Sequence, residues 1–145
     1  MSHREWLERF FDRVWHAEDA KTSKSAVYEL VSEDCHVHGL PHGKNIGREG
    51  FVQFRQLMLE AFDHVRVQVD DVIEDGDRVF MRGTLFFSVG EREGTVLGGC
   101  LARIENNQIC EAWNQWDFLG LLEQAGTLDA DTLAAGLTSL AKAKP

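Results

Sequence analysis

HVRVQVDDVIEDGDRVFMRGTLFFSV, residues 64–89, is the stretch on which the fold turns. Val65, Val67 and Val69 alternate with Arg66, Gln68 and Asp70. A period of two is that of a strand with one face buried. Asp75-Gly76 predicts a tight turn, and DRVFMRGTLFFSV predicts the next strand. Working outward, Gly-Glu-Arg-Glu-Gly at 90–94 predicts another turn, TVLGGCLARIE a third strand, Asn106-Asn107 a last turn and QICEAWNQWD a fourth strand. Long strands joined by tight turns read as an antiparallel meander, and no parallel crossover is needed. Gly98-Gly99 is no phosphate loop, because no helix follows it. It predicts a bulge or bend that helps the sheet curl.

Upstream the period is helical. REWLERFFDRVWHAED places Trp6, Leu7, Phe10, Phe11, Val14 and Trp15 on one stripe opposite Glu5, Glu8, Arg9, Asp12 and Arg13. SKSAVYELV predicts a short second helix capped near Ser23, DCHVHG a short strand and GLPHGKNIG a loop. REGFVQFRQLMLEAFD is a third amphipathic helix with Phe51, Phe54, Leu57, Met58, Leu59, Ala61 and Phe62 as its apolar residues. The tail, LDADTLAAGLTSLAKAKP, spaces Leu133, Leu137 and Leu140 for a small stripe that can pack on its own sheet or on a partner. Helices first and a long sheet after make an α+β plan. A twisted sheet with helices on one face curls around them. The expected shape is a cone, with a curved antiparallel sheet wrapped around the N-terminal helices. Its open end leaves a hole suited to a small molecule. The 145 residues suit one domain, with a core over 5–126 and a helical tail over 127–145.

Composition narrows the function classes. Apolar residues make up 43% of the chain, too many for disorder, and the formal charge of −9 repels phosphate backbones, so no nucleic-acid partner is expected. No apolar run approaches membrane-spanning length, so no membrane partner is expected. The start, MSHREWLERFF, has charges where a signal peptide needs an apolar run, and Cys35, Cys100 and Cys110 have no CxxC spacing. A cytoplasmic protein with reduced thiols is the expectation.

Candidate site residues cluster in EAWNQWDFLGLLEQAG, residues 111–126. By strict alternation Ile109, Glu111, Trp113, Gln115 and Asp117 share one strand face, and Cys110, Ala112, Asn114 and Trp116 the other. If Trp113 faces the hole, so does Asp117. A carboxylate among aromatic rings has its pKa raised by desolvation and can exchange protons near neutral pH. Asp117 is equally well placed to cap the helix that starts at FLGLLEQAG. The two roles are not exclusive. Trp113 and Gln115 would shape the pocket beside it. His36 and His38 point to one side of their strand. With His42 they suggest a metal cluster, but no fourth ligand is spaced nearby and no metal is expected. His38 reads better as a hydrogen-bonding partner at the pocket, with His36 beside it a candidate to contact a bound molecule. Arg82, among Phe80, Thr84 and Phe86, is a candidate to hold an oxyanion or to pair with Asp117. Its bland reading is a solvated or cross-strand pair. Trp15, Phe54 and Met58 are candidates to line the hole from the helix side. Cys100, in the apolar strand LGGCLARI with no flanking base, is an inert thiol.

Taken in order, these segments resemble the nuclear transport factor 2-like superfamily, a cone-shaped, cystatin-like roll. The carriers are the strand with His-Gly, the loop ending in GxxxF, EDGDRV, and IENNQICEAWNQWDFLGLLEQAG. The closest likeness, over roughly residues 5–126, is to the SnoaL-like polyketide cyclases. That resemblance implies a pocket carboxylate at the end of W-x-x-x-D, here Trp113 to Asp117. It would act as general acid and base in an intramolecular aldol closure, with neither metal nor cofactor. The chain departs from those enzymes where they carry a longer GTHxGxF-like stretch, having the compact FFSVGEREGTV instead. In the related ketosteroid isomerases a catalytic aspartate ends the first short strand. Here that place holds His38, and the first helix has no tyrosine. Fold alone does not decide function. Three readings follow: an acid/base cyclase or isomerase, a non-catalytic binder of an apolar small molecule, and a module that forms a homodimer through its outer sheet face, with Trp116 and Leu97 buried there.

Overall fold

The computed structural model describes residues 1–41 and 46–145. His42 lies outside the described residues. Three helices come first in space and sequence: α1 (His3–Val14), α2 (Ala20–Leu30) and, after strand β1 (Val31–His38), α3 (Arg48–Ala61). Then come β2 (His64–Asp75), β3 (Arg78–Val89), β4 (Arg92–Glu105) and β5 (Gln108–Trp116), and finally α4 (Phe118–Ala125) and α5 (Thr132–Lys142).

Local chemistry explains the boundaries. Ser2 opens α1 with a capping box, accepting from the Glu5 N–H at 3.1 Å while the Glu5 carboxylate accepts from the Ser2 N–H at 2.8 Å. Asp19, not Ser23, caps α2. Ser23 is buried one turn later, and its hydroxyl donates to the Val14 carbonyl at the end of α1. Asn106 and Asn107 both take positive φ, 51° and 63°. Positive φ at both central residues is what a type I′ turn requires, and that turn matches the twist of paired strands. The stripe of α1 (Trp6, Leu7, Phe10, Phe11, Val14) is buried against the concave face of the sheet.

The sheet order is β1-β5-β4-β3-β2. Four strands form the expected antiparallel meander. The fifth departs from the sequence expectation, because β1 pairs parallel with β5 at the edge and the sheet is mixed. The link between these two strands is the rest of the meander plus α3, long enough to bring the chain back in the same direction. At the opposite edge, β2 is covered by α1. His16 Nε2 accepts the Val67 N–H at 3.0 Å, and Arg4 donates to the Val69 carbonyl at 2.8 Å.

Gly98-Gly99 forms no bulge, since β3 and β4 pair without a register shift through them. The glycines serve a different end. A Cβ on Gly98 would collide with the Trp116 indole, and one on Gly83, its cross-strand partner, would sit 3.2 Å from the same ring. Two bare positions on neighbouring strands thus seat the indole flat on the concave face. Helix α5 buries none of its side chains. Leu133, Leu137 and Leu140 are 56%, 60% and 68% exposed, so the tail stripe does not pack on its own sheet.

Candidate functional site: an apolar cavity under the sheet

A cavity of about 70 Å³ lies between the concave face and α1 and α3. Its walls are aliphatic and aromatic apart from the Asn114 amide, the Cys100 thiol and the indoles of Trp15 and Trp116. No carboxylate or imidazole is among the described residues that line it.

One residue decides which side chains reach this space. Ile104 pairs with Ile109 and Arg103 with Glu111, so β5 takes two steps where β4 takes one. Cys110 is the extra residue of a β-bulge. A one-residue insertion moves every later side chain to the other face. Ile109 is buried before the bulge and Ala112 after it, and inward positions then continue as Asn114 and Trp116. The expected sharing of one face by Ile109, Glu111, Trp113, Gln115 and Asp117 therefore does not hold. Trp113, Gln115 and Asp117 stand outside the cavity lining, and Gln115 and Asp117 are exposed.

Asp117 caps α4. Its Oδ1 accepts the Gly120 N–H at 2.9 Å. His38 is outside as well. Its ring stacks on Trp113 at 5.5 Å and 13°, and its Nε2 lies 3.0 Å from Glu111 Oε2. His36 is exposed on the same edge strand, in register with Glu111. Arg82 is exposed, with Nε donating to Asp71 Oδ2 at 2.8 Å and Nη1 3.7 Å from Asp70 Oδ2, and so is paired across β2–β3 rather than with Asp117. Trp15, Phe54 and Met58 line the cavity. Trp116 faces inward rather than onto the outer sheet face, where Leu97 remains exposed.

Asn114 is held at the cavity wall by its Nδ2, which donates to the His38 carbonyl at 3.2 Å. Gly39 (φ 84°) makes that approach feasible, because a Cβ there would collide with the Asn114 carbonyl. Burial pushes the Cys100 thiol up to about 12, so it is neither nucleophile nor base at neutral pH. Among the described residues, no group of three or more His, Cys, Asp or Glu could hold a metal ion.

A sequence profile of the SnoaL-like polyketide cyclases matches residues 5–125. The chain belongs to that family. This SnoaL-like chain also shares its fold with solved structures at low identity. Against wild-type IdmH from Streptomyces antibioticus, the TM-score is 0.71 at 19% identity, covering 85% of this chain and 97% of that one. Against TsrD from Streptomyces laurentii it is 0.69 at 17%, covering 88% and 99%. An NTF2-like protein of unknown function from Burkholderia pseudomallei gives 0.70 at 17%, covering 87% and 99%. At such identities the likeness is one of fold. No curated protein matches. No helix among the described residues is long and apolar enough to cross a membrane.

Two features of this SnoaL-like site escape a sequence reading. Strict alternation puts Asn114 and Trp116 on the other face, and only the glycines opposite Trp116 signal its seat. Arg55, buried at the end of α1, lies four residues from Phe51 and three from Met58, on the apolar stripe of α3. A charge on that stripe was the signal.

Proposed function

We propose that this SnoaL-like chain is a receptor for an apolar small molecule, which it binds without a proton-transferring side chain in the cavity. The observation that carries the reading is the lining itself, apolar but for Asn114, two indoles and a neutral thiol. Binding would draw on burial, about 0.8 kcal/mol per methylene, with the Asn114 amide orienting a carbonyl or hydroxyl group. Acetophenone tests this. It should raise the melting temperature of the wild type and of Asp117→Asn, and have no effect on Ala112→Leu, whose side chain would fill the cavity. A response that vanishes in Asp117→Asn and persists in Ala112→Leu would sink the reading.

Family membership favours a second reading, a cofactor-independent aldol-type cyclisation or isomerisation of a carbonyl compound. Asp117 would then have to work from outside the lining, as it caps α4. Loss of turnover in Asp117→Asn would support that chemistry, and unchanged turnover would remove it. Either reading accommodates a homodimer through the convex sheet face, where Phe80, Leu97 and Ile73 are exposed.

A further inference from the structure

The cavity has a larger neighbour. A groove of about 730 Å³ runs between the chain leaving α1, the second half of α3 and the ends of β2 and β3 that lie near it. Trp15 and Met58 line both spaces, so these two side chains form the wall between them. The spaces differ in character. The groove carries Arg55, Arg66, His16 and His64, with Glu18 and Asp63. One carboxylate oxygen of Asp63 is taken by the Gly90 N–H at 2.8 Å.

The two halves of the wall are unequally fixed. Trp15 packs edge-on against Phe51 and Phe54, the Arg55 guanidinium lies 4.8 Å over its ring, and its carbonyl accepts from Arg55 Nη2 at 2.9 Å. Met58 has only packing to hold it, and an unbranched thioether on three rotatable bonds changes rotamer readily.

Arg55 supplies an independent observation. It is 3% exposed, and its two hydrogen-bonding nitrogens both donate to main-chain carbonyls, those of Val14 and Trp15. Among the described residues no carboxylate forms an ion pair with it, and its Nη1 is buried without an acceptor. Burial lowers its pKa only to about 10, so it stays cationic at neutral pH. A buried cation without a counter-charge is unfavourable, and a spare guanidinium N–H is a strong site for a carboxylate. Met58 follows Arg55 by three residues on α3, which places the two side chains side by side.

We propose that Met58 is a gate between groove and cavity, and that the ligand is an amphipathic carboxylate. Its apolar end occupies the cavity, and its carboxylate meets Arg55 Nη1, which the swing of Met58 uncovers. This rests on the reading that the cavity binds ligands, and it accounts for the sizes. The cavity of about 70 Å³ is smaller than the roughly 300 Å³ at which ligand sites begin, whereas the groove of about 730 Å³ is not.

Octanoate and 1-octanol, titrated into the whole chain by calorimetry and mixed in stopped flow with tryptophan fluorescence, separate the outcomes. Octanoate should bind at least about tenfold tighter than 1-octanol, the preference expected of a charge-assisted pair. Arg55→Gln should erase that preference and Arg55→Lys retain part of it, circular dichroism confirming that each variant is folded. Met58→Ala should speed association by about tenfold, because removing the gate removes the motion that limits entry. Equal binding of acid and alcohol by the wild type would overturn the carboxylate assignment, and unchanged rates in Met58→Ala would overturn the gate. Both results leave cavity binding standing. If neither compound binds, cavity binding fails and this inference with it.

Discussion

Asp117 and Asn114, three residues apart, hold each other's expected places. The carboxylate is at the surface, bonded to the Gly120 N–H, and the amide is at the cavity wall. Each makes a distinct prediction. Asp117→Ala removes a cap and should cost about 1 kcal/mol in urea denaturation, whereas Asp117→Asn, an equally good cap, should be nearly neutral. Neither should weaken binding of an apolar probe. Asn114→Leu should weaken a ketone ligand by about 0.5–1.5 kcal/mol, one hydrogen bond, and leave a hydrocarbon of the same shape unaffected. Calorimetry with the matched pair reads the difference directly.

The bulge at Cys110 is the element on which the site depends. Its identity matters little, because Cys110 is the extra residue and its side chain is only half-buried. Cys110→Ser should therefore keep the melting temperature within a few degrees, the effect of a change within about 0.5 kcal/mol. Deleting Cys110 should leave a protein that still unfolds cooperatively, since Ile109 and Glu111 would then step in register with Ile104 and Arg103 and keep Asn114 and Trp116 facing inward. The same bulge marks where sequence reasoning stops. The helical stripes, the three tight turns and the meander were legible because each rests on local chemistry: apolar spacing, and glycine and asparagine at positive φ. The face of β5 beyond residue 110 was not, because alternation is read from a starting point and an inserted residue resets it without a sequence mark. Parallel pairing of β1 with β5 was likewise illegible, as it depends on how a long connection closes. Arg55 was legible in principle, as a lone cation in an apolar stripe, but its partners, two main-chain carbonyls, belong to a different helix.

For the whole molecule, stability resides in one core between sheet and helices, and the ends contribute unequally. Removing residues 130–145 should leave the melting temperature unchanged, because α5 buries no side chain. Acid should act through surface carboxylates. Glu5 is held below its ordinary pKa by the Ser2 N–H, Asp19 by the Thr22 N–H and Asp70 by the Thr84 hydroxyl. A depressed carboxylate stabilises fully above its ordinary pKa and loses that contribution as pH falls through the folded value. Stability should thus hold down to the ordinary carboxylate range and decline below it, as urea midpoints measured against pH will show. If the convex face forms the dimer, Leu97→Glu together with Phe80→Glu should give a folded monomer in sedimentation. The central claim, that the concave space lined by Asn114 and Trp116 is the binding site and Asp117 lies outside it, is tested most directly by nitrogen-15 correlation spectra during an acetophenone titration. Saturable shifts of the Asn114 side-chain amide and the Trp116 indole N–H, with the amides of Trp113 and Asp117 little moved, are predicted. Shifts centred on Trp113, Gln115 and Asp117, with the Asn114 and Trp116 side-chain signals still, would contradict it.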